Sequence, residues 1–279
     1  MSSFKDLKKN RMSNLASLTK QIEKLAEKPS YVDDRIWKCE RDKSGNGYAI
    51  IRFLPACQDE DVPWVQMWSH GFKGPGGWYI ENSLTTLGKD DPVSKANTAL
   101  WNSGIESDKN IARDRNRKLS YYSNILVLED SANAENEGKI FLFRYGKKIF
   151  EKISSVLNPE FKDETPLNPF DFSEGANFKI KIRQVDGYAN YDKSEFASQS
   201  KLGDDSKCEA IWKQQYLLQD LVNEDKFKSY QELEARFNTV IGSSDDPERV
   251  ESIDEEEETV KSTGATSETM EYFKKLAEQ

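Results

Sequence analysis

Arginine, lysine and tyrosine crowd one short stretch of this chain. RDRNRKLSYYSNILVL, Arg113 to Leu128, delivers Arg113, Arg115, Arg117 and Lys118 into a segment that begins Tyr121-Tyr122. Cations beside aromatic rings suit a flexible polyanion with unpaired bases: the cations meet the backbone charges, and each stacked base adds about 1 to 3 kcal/mol. FLFRYGKK, residues 141–148, repeats the association, interleaving Phe141, Phe143 and Tyr145 with Arg144, Lys147 and Lys148. QVDGYANY, residues 184–191, sets Tyr188 and Tyr191 in a turn. Aromatic residues in strands usually belong to a core. Tyr188 and Tyr191 depart from that rule, because a turn rich in Gly, Asn and Asp is expected to be exposed. Neighbouring strand residues point to opposite faces, so one of Tyr121 and Tyr122 is expected in the core and the other on the outer or binding surface.

Other chemistry is poorly provided for. The single histidine, His70, leaves no Cys-His or Ser-His-acid arrangement with an evident orienting partner, and no nucleophile-elbow string occurs. GFKGPGG at 71–77 lacks the spacing of a phosphate-binding loop and reads as a turn. Cys39, Cys57 and Cys208 are widely separated, odd in number and without a CxxC pair, which points to free thiols. Scattered carboxylates leave a metal-dependent nuclease acting on single strands as the enzyme alternative; a structural or adaptor protein, with the aromatics packed inside and no direct contact to a polyanion, is the other. No run approaches 18 apolar residues and the start has no signal-peptide pattern, so an intracellular protein is expected.

The elements that must position these residues fall into three zones of a 279-residue chain with net charge -9. Residues 1–30 hold 7 Lys/Arg against 3 Asp/Glu, with Leu15, Leu18, Ile22 and Leu25 on one stripe of a helix ended by Pro29. Residues 243–279 hold 12 Asp/Glu against 4 Lys/Arg, a contribution of 4 - 12 = -8, so the rest of the chain is near neutral. This acidic tail has too few apolar residues to offset the entropy of ordering, and only Met270, Phe273 and Leu276 offer a short helical stripe to a partner. Between the two, strands are expected over 48–54, 64–68, 77–80, 121–128, 139–145 and 177–185, with helices near 147–157, 207–221 and 226–240. Five or six strands with irregular connections predict a mainly β fold, a five-stranded Greek-key barrel with an attached lobe at 82–111 and helical additions.

At these residues the chain resembles the single-stranded DNA-binding, helix-destabilising proteins of T4-like bacteriophages. NGYAIIRFLP (46–55), SHGFK (69–73), GGWYIE (76–81), RKLSYYSNILVL (117–128), ENEGKIFLFRYGKKI (135–149), GANFKIKIRQVDGYANYD (175–192) and DKFKSYQEL (225–233) carry the resemblance through most of residues 31–242. It implies an OB-fold core over 31–242, flanked by a cooperative N-terminal arm at 1–30 and a partner-binding tail at 243–279. It also implies cooperative, sequence-independent coating of single-stranded DNA in replication, recombination and repair, in the host cytoplasm and without catalysis. Self-association is expected through Lys8, Lys9, Arg11 and Ser13, with a second such stretch at Arg117, Lys118 and Ser120; replication and recombination proteins would meet the tail. DNA contacts carried over are Arg117, Lys118, Tyr121, Tyr122, Phe143, Arg144, Tyr188 and Tyr191, with Trp101 in the lobe. Tyr145, Lys147 and Lys148 join them as neighbours in the same cluster.

One departure bears on cofactors. Familiar members hold structural zinc in the lobe with one histidine and three cysteines. Here His70 is retained, but Ser83 stands 13 residues on and Asp91-Pro92-Val93-Ser94 replaces the later CPVC. A serine is no substitute for a thiolate. No metal or other cofactor is therefore expected, and Leu84, Leu87, Val93, Leu100 and Trp101 are expected to hold the lobe by packing.

Overall fold

The computed structural model describes residues 33–57 and 59–242. The readings made above for the N-terminal arm, including Lys8, Lys9, Arg11 and Ser13, and for the acidic tail lie outside the described residues. The chain divides into two compact units, Met1–Trp37 and Lys38–Gln279. In the first, Asp33 accepts hydrogen bonds from the backbone and guanidinium of Arg35 just before the short strand β1, Ile36–Trp37.

The second unit is mainly β. Its strands are β2 (Gly47–Phe53), β3 (Val65–Gly74), β4 (Gly77–Asn82), β5 (Lys118–Asp130), β6 (Ile140–Tyr145), β7 (Ala176–Val185), β8 (Tyr188–Asn190) and β9 (Glu195–Gln199). Among the described residues five α-helices accompany them: α1 (Pro92–Asn102), α2 (Glu106–Asp114), α3 (Lys147–Leu157), α4 (Asp205–Trp212) and α5 (Tyr230–Ile241).

Strand β5 organises the sheet. One edge pairs with β6 through residues 121–126; the other serves β3 through 118–122 and then β2 through 125–130. Beyond β2 lies β7, whose far edge is filled by its own return, β9 and β8. Asp186 and Gly187, both at positive φ, make that return a two-residue hairpin, and glycine takes the left-handed position without a Cβ penalty. Among the described residues of this unit the strand pairings follow an open path rather than the closed circuit of a five-stranded barrel, because the outer edge of β7 is already occupied by β8 and β9.

Both faces of β5 are covered. On one, Phe53 gathers Phe143, Tyr145, Phe170, Phe178 and Phe196 at ring-centroid distances of 5.5 to 6.3 Å. On the other, Leu54 and Leu126 pack against Ile211 of α4. Residues 120–127 are buried without interruption, the continuous pattern of a strand sandwiched on two sides. That corrects the expectation that one of Tyr121 and Tyr122 faces outward: both rings are buried.

The lobe is helical. Asp91 caps α1 and Pro92 occupies its first turn, where a missing N–H costs nothing. Leu84, Val93 and Leu87 pack as expected, but their partners come from the far end of the chain: Leu233, Phe237 and Val240 of α5 join Phe72 and Tyr79 in one cluster. A capping box of Ser229 and Glu232 starts α5. Trp101, by contrast, is 49% exposed and holds nothing together from within. The GFKGPGG turn is explained by contact with the end of α5. Gly76 N–H donates to Val240 O at 2.9 Å, and a Cβ at Gly76 would lie 2.1 Å from Thr239 O.

Candidate nucleic-acid interface

Three cation-and-ring groups surround the N-terminal end of β5. In the first, the guanidinium of Arg117 stacks 4.2 Å over the ring of Trp68. Strand pairing sets Trp68 opposite Leu119 and Gln66 opposite Tyr121, so Trp68, Gln66 and Tyr121 share a face. A groove of about 270 Å³ opens at the edge of β3, lined by Trp64, Val65, Gln66, Thr86, Gln219 and Val222, and Gln66 is what it shares with this face.

The second group surrounds Tyr121. Its ring stacks on Phe150 of α3 at 3.9 Å and on Tyr145 at 5.7 Å. Burial raises the pKa of its hydroxyl, against the pull of Lys147 and a hydrogen bond with Gln66. Phe143 and Tyr145 lie on this face within the aromatic core, and Tyr145 shares a 2.9 Å hydrogen bond with Ser123. Lys147 and Lys148 open α3 in exposed positions. Five residues further, Lys152 Nζ donates to Asp192 O at 3.0 Å. This places α3 as a bridge from Tyr121 to the hairpin that carries Tyr188 and Tyr191, both half-buried. Arg183 is ion-paired with Asp192 there, so its charge is already partly answered.

The third group leaves the opposite face of the sheet. Tyr122 pairs with Arg144, and alternation puts Lys118 and Ser120 on their side. Arg144 is exposed, its Nε donating to Ser120 Oγ at 3.1 Å. Arg117 over Trp68 and Arg144 beside Ser120 thus occupy the two sides of one strand end. Away from both, Arg113 covers the exposed Trp101 at 5.3 Å and also pairs with Glu106. Arg115 is turned inward over Phe72 and Phe237, at 5.6 and 5.7 Å.

Four contributors were absent from the sequence expectations: Trp68, Gln66, Phe150 and Lys152. The alternation of Trp64, Gln66 and Trp68 in WVQMW was a usable signal, since period two places them on one face. Phe150 and Lys152 gave none, because their role depends on where α3 docks.

The lobe residues do not form a zinc site. Ser83 Oγ donates to Asp91 Oδ2 at 2.9 Å, Leu84 N donates to the same oxygen at 3.2 Å, and Ser94 N donates to Asp91 Oδ1 at 3.0 Å. His70 Nδ1 faces Arg115 O at 3.0 Å and its Nε2 lies 3.2 Å from Asp91 Oδ1. One imidazole, one carboxylate already answered by three N–H and O–H donors, and two neutral hydroxyls do not supply the four nitrogen or thiolate ligands of a structural zinc. Cys57 is engaged elsewhere, with Tyr216 O 3.0 Å from its sulfur. Cys39 and Cys208 are buried near Glu40 O and Gly203 O.

The fold and this surface define a class: a mainly β protein in which exposed cations and aromatic rings ring the end of one shared strand. Residues 45–241 match the family described as gp32 DNA binding protein like, and the chain belongs to that family. It is 40% identical over 236 residues to the single-stranded DNA-binding protein of Enterobacteria phage T2, covering 82% of this chain and 78% of that protein. The single-stranded DNA-binding protein of Enterobacteria phage T4 is 39% identical over 235 residues, with the same coverage. A shorter relative of the same name, from Enterobacteria phage RB70, is 38% identical over 110 residues, 38% of this chain and 94% of that protein.

Proposed function

We propose that this chain binds single-stranded DNA without base preference, coating it cooperatively during replication, recombination and repair of viral DNA in the host cell. The observation that carries the reading is the stack of Arg117 on Trp68 beside an open groove, with Lys147 and Tyr121 next along the same face. A guanidinium held on an indole offers a phosphate its outer edge, and the groove beside it offers room for a base. From there α3 leads to the hairpin of Tyr188 and Tyr191, both partly exposed. Lys148 lies beside Lys147 at the start of α3, Arg144 and Lys118 offer further cations on the opposite face of the strand end, and Trp101 stands apart on the lobe. Tyr121, Tyr122, Phe143 and Tyr145 act from beneath the cationic surface, as buried supports rather than stacking platforms.

Duplex DNA hides its base faces, so trapping of unpaired strands pulls the duplex open by mass action without turnover. The core reads as an OB-type scaffold: antiparallel strands, a central strand with β6 on one edge and β3 and β2 sharing the other, and a helix between β6 and β7. Residues 1–30, with Lys8, Lys9, Arg11 and Ser13, supply contacts between neighbours along the strand. The tail from residue 243 competes for the cationic surface and recruits replication and recombination proteins.

Titration with oligo(dT) across a salt series, followed by tryptophan fluorescence, tests the reading. Quenching is expected, with log K falling linearly in log salt at about 0.7 per phosphate neutralised. Absence of quenching at low salt would overturn it.

A further inference from the structure

We propose that Asp91, a residue with no surface of its own, is the positioning residue for the Arg117–Trp68 stack. The inference rests on the reading of that stack as part of the DNA site. Asp91 and His70 are 2% and 1% exposed, so neither meets nucleic acid; each acts through what it holds.

Two arms lead outward from the carboxylate. Through Oδ2, Asp91 accepts the hydroxyl of Ser83 and the N–H of Leu84. The turn they begin is stitched to Trp68: Ser83 N donates to Trp68 O at 2.8 Å, and Trp68 N donates to Thr86 Oγ1 at 2.9 Å. This arm anchors the backbone under the indole. Through Oδ1, Asp91 faces His70 Nε2 at 3.2 Å. The other ring nitrogen of His70 meets Arg115 O at 3.0 Å, and because a carbonyl only accepts, Nδ1 donates; this arm is therefore closed in the imidazolium form, in which Nε2–H also points at Asp91 Oδ1. Asn97 Nδ2 donates to the same oxygen at 3.1 Å. Two donors thus clamp the peptide two residues before Arg117. Platform and cation are tied to opposite oxygens of one buried carboxylate, and that carboxylate is held ionised: burial pushes its pKa up, but His70, Ser94 N–H and Ser83 outweigh it and leave it at about 2.

Asp91 also caps α1 by accepting from Ser94 N, and helix capping alone would make it structural. Asp91→Asn separates the roles, because asparagine caps a helix about as well as aspartate but presents an N–H₂ group to either His70 or Ser83. Two readouts on the full chain decide. The first needs no DNA: stacking on the indole shifts the Arg117 side-chain resonances upfield by ring current, and D91N should return them toward free-arginine values with the melting temperature only modestly lowered. The second is oligo(dT) affinity: D91N should weaken it about tenfold, the scale of one cation–π contact, with a shallower salt slope. In an Arg117→Ala background the same substitution should add almost nothing, the non-additivity expected when one residue acts through another.

Unchanged Arg117 resonances in folded D91N would overturn the proposal, as would additive losses in the double variant. Should D91N fail to fold, Asn97→Ala, which removes one of the two clamps on Arg115 O, is expected to shift the same resonances partway; no movement there overturns the idea equally. A wild-type chain without DNA affinity would sink the functional reading, while the resonance comparison would still decide whether Asp91 holds the stack.

Discussion

At the scale of single residues, buried polar groups in this protein have assigned work. Arg52 is fully buried, donating to Asp171 O and Ser200 O at 2.9 and 2.7 Å and to Asn177 Oδ1 at 3.2 Å. Desolvation still lowers its pKa, with Asp171 opposing the shift. Cys57 is the titratable counterpart. Burial, helped by Glu60, pushes its thiol from 9.0 to about 12. At pH 8 its thiolate is depleted on the order of 10³-fold relative to a free cysteine, so iodoacetamide should label it only on unfolding. The linkage follows: the neutral thiol favours the fold fully below the unfolded value near 9.0, and that contribution fades as pH climbs toward about 12. A rapidly alkylated Cys57 in native protein would contradict this environment. Around Asp91, where hydrogen bonds stand in the lobe, EDTA should leave melting temperature and DNA affinity unchanged; a loss restored by zinc would refute a metal-free lobe.

At the scale of elements, alternation made most strands legible: β2, β5, β6 and β7 begin and end within a few residues of the stretches expected. The second half of β3 was not, because SHGFKG offers polar and glycine residues where a strand pattern calls for branched ones. The pairing of the two neighbouring tyrosines was misread for a different reason. Alternation says that Tyr121 and Tyr122 part company, and they do, but it does not say whether a second layer covers each face; here Phe150 lies on one, and on the other Ile211 of α4 packs over Leu126 of the same strand. Nor could spacing foretell that Asp91 joins His70, since the contact closes only when α1 folds back beside β3. The β3–β4 hairpin gives the sharpest test at this scale. Gly76→Ala forces a Cβ against the end of α5 and should cost about 1–3 kcal/mol, lowering the melting temperature by roughly 5 °C in a domain of this size. An unchanged transition would mean that the hairpin and α5 separate easily.

At the scale of the whole molecule, charge is divided between zones. Residues 243–279, acidic and basic together, account for -8 of a net charge of -9, and the described residues carry the cations around β5. If the tail competes for that surface, deleting 243–279 should tighten oligo(dT) binding several-fold at low salt, with the gain vanishing as salt screens exposed charges beyond about 10 Å. Equal affinity and salt slope in the deletion would remove the tail from the binding equilibrium. Among the described residues no helix is long and apolar enough to cross a membrane, and no cluster of three or more His, Cys, Asp or Glu is arranged to hold a metal.

The sharing of one apolar cluster between Phe72, Tyr79 and the distant Leu233, Phe237 and Val240 has a consequence during protein synthesis. A ribosome adding about 5–20 residues per second exposes the hairpin's aromatics for on the order of ten seconds before α5 leaves the exit tunnel to cover them. Nascent chains stalled before Tyr230 should therefore be sticky and open to chaperones or proteases, whereas in chains released just past Gly242 the covered hairpin should resist digestion.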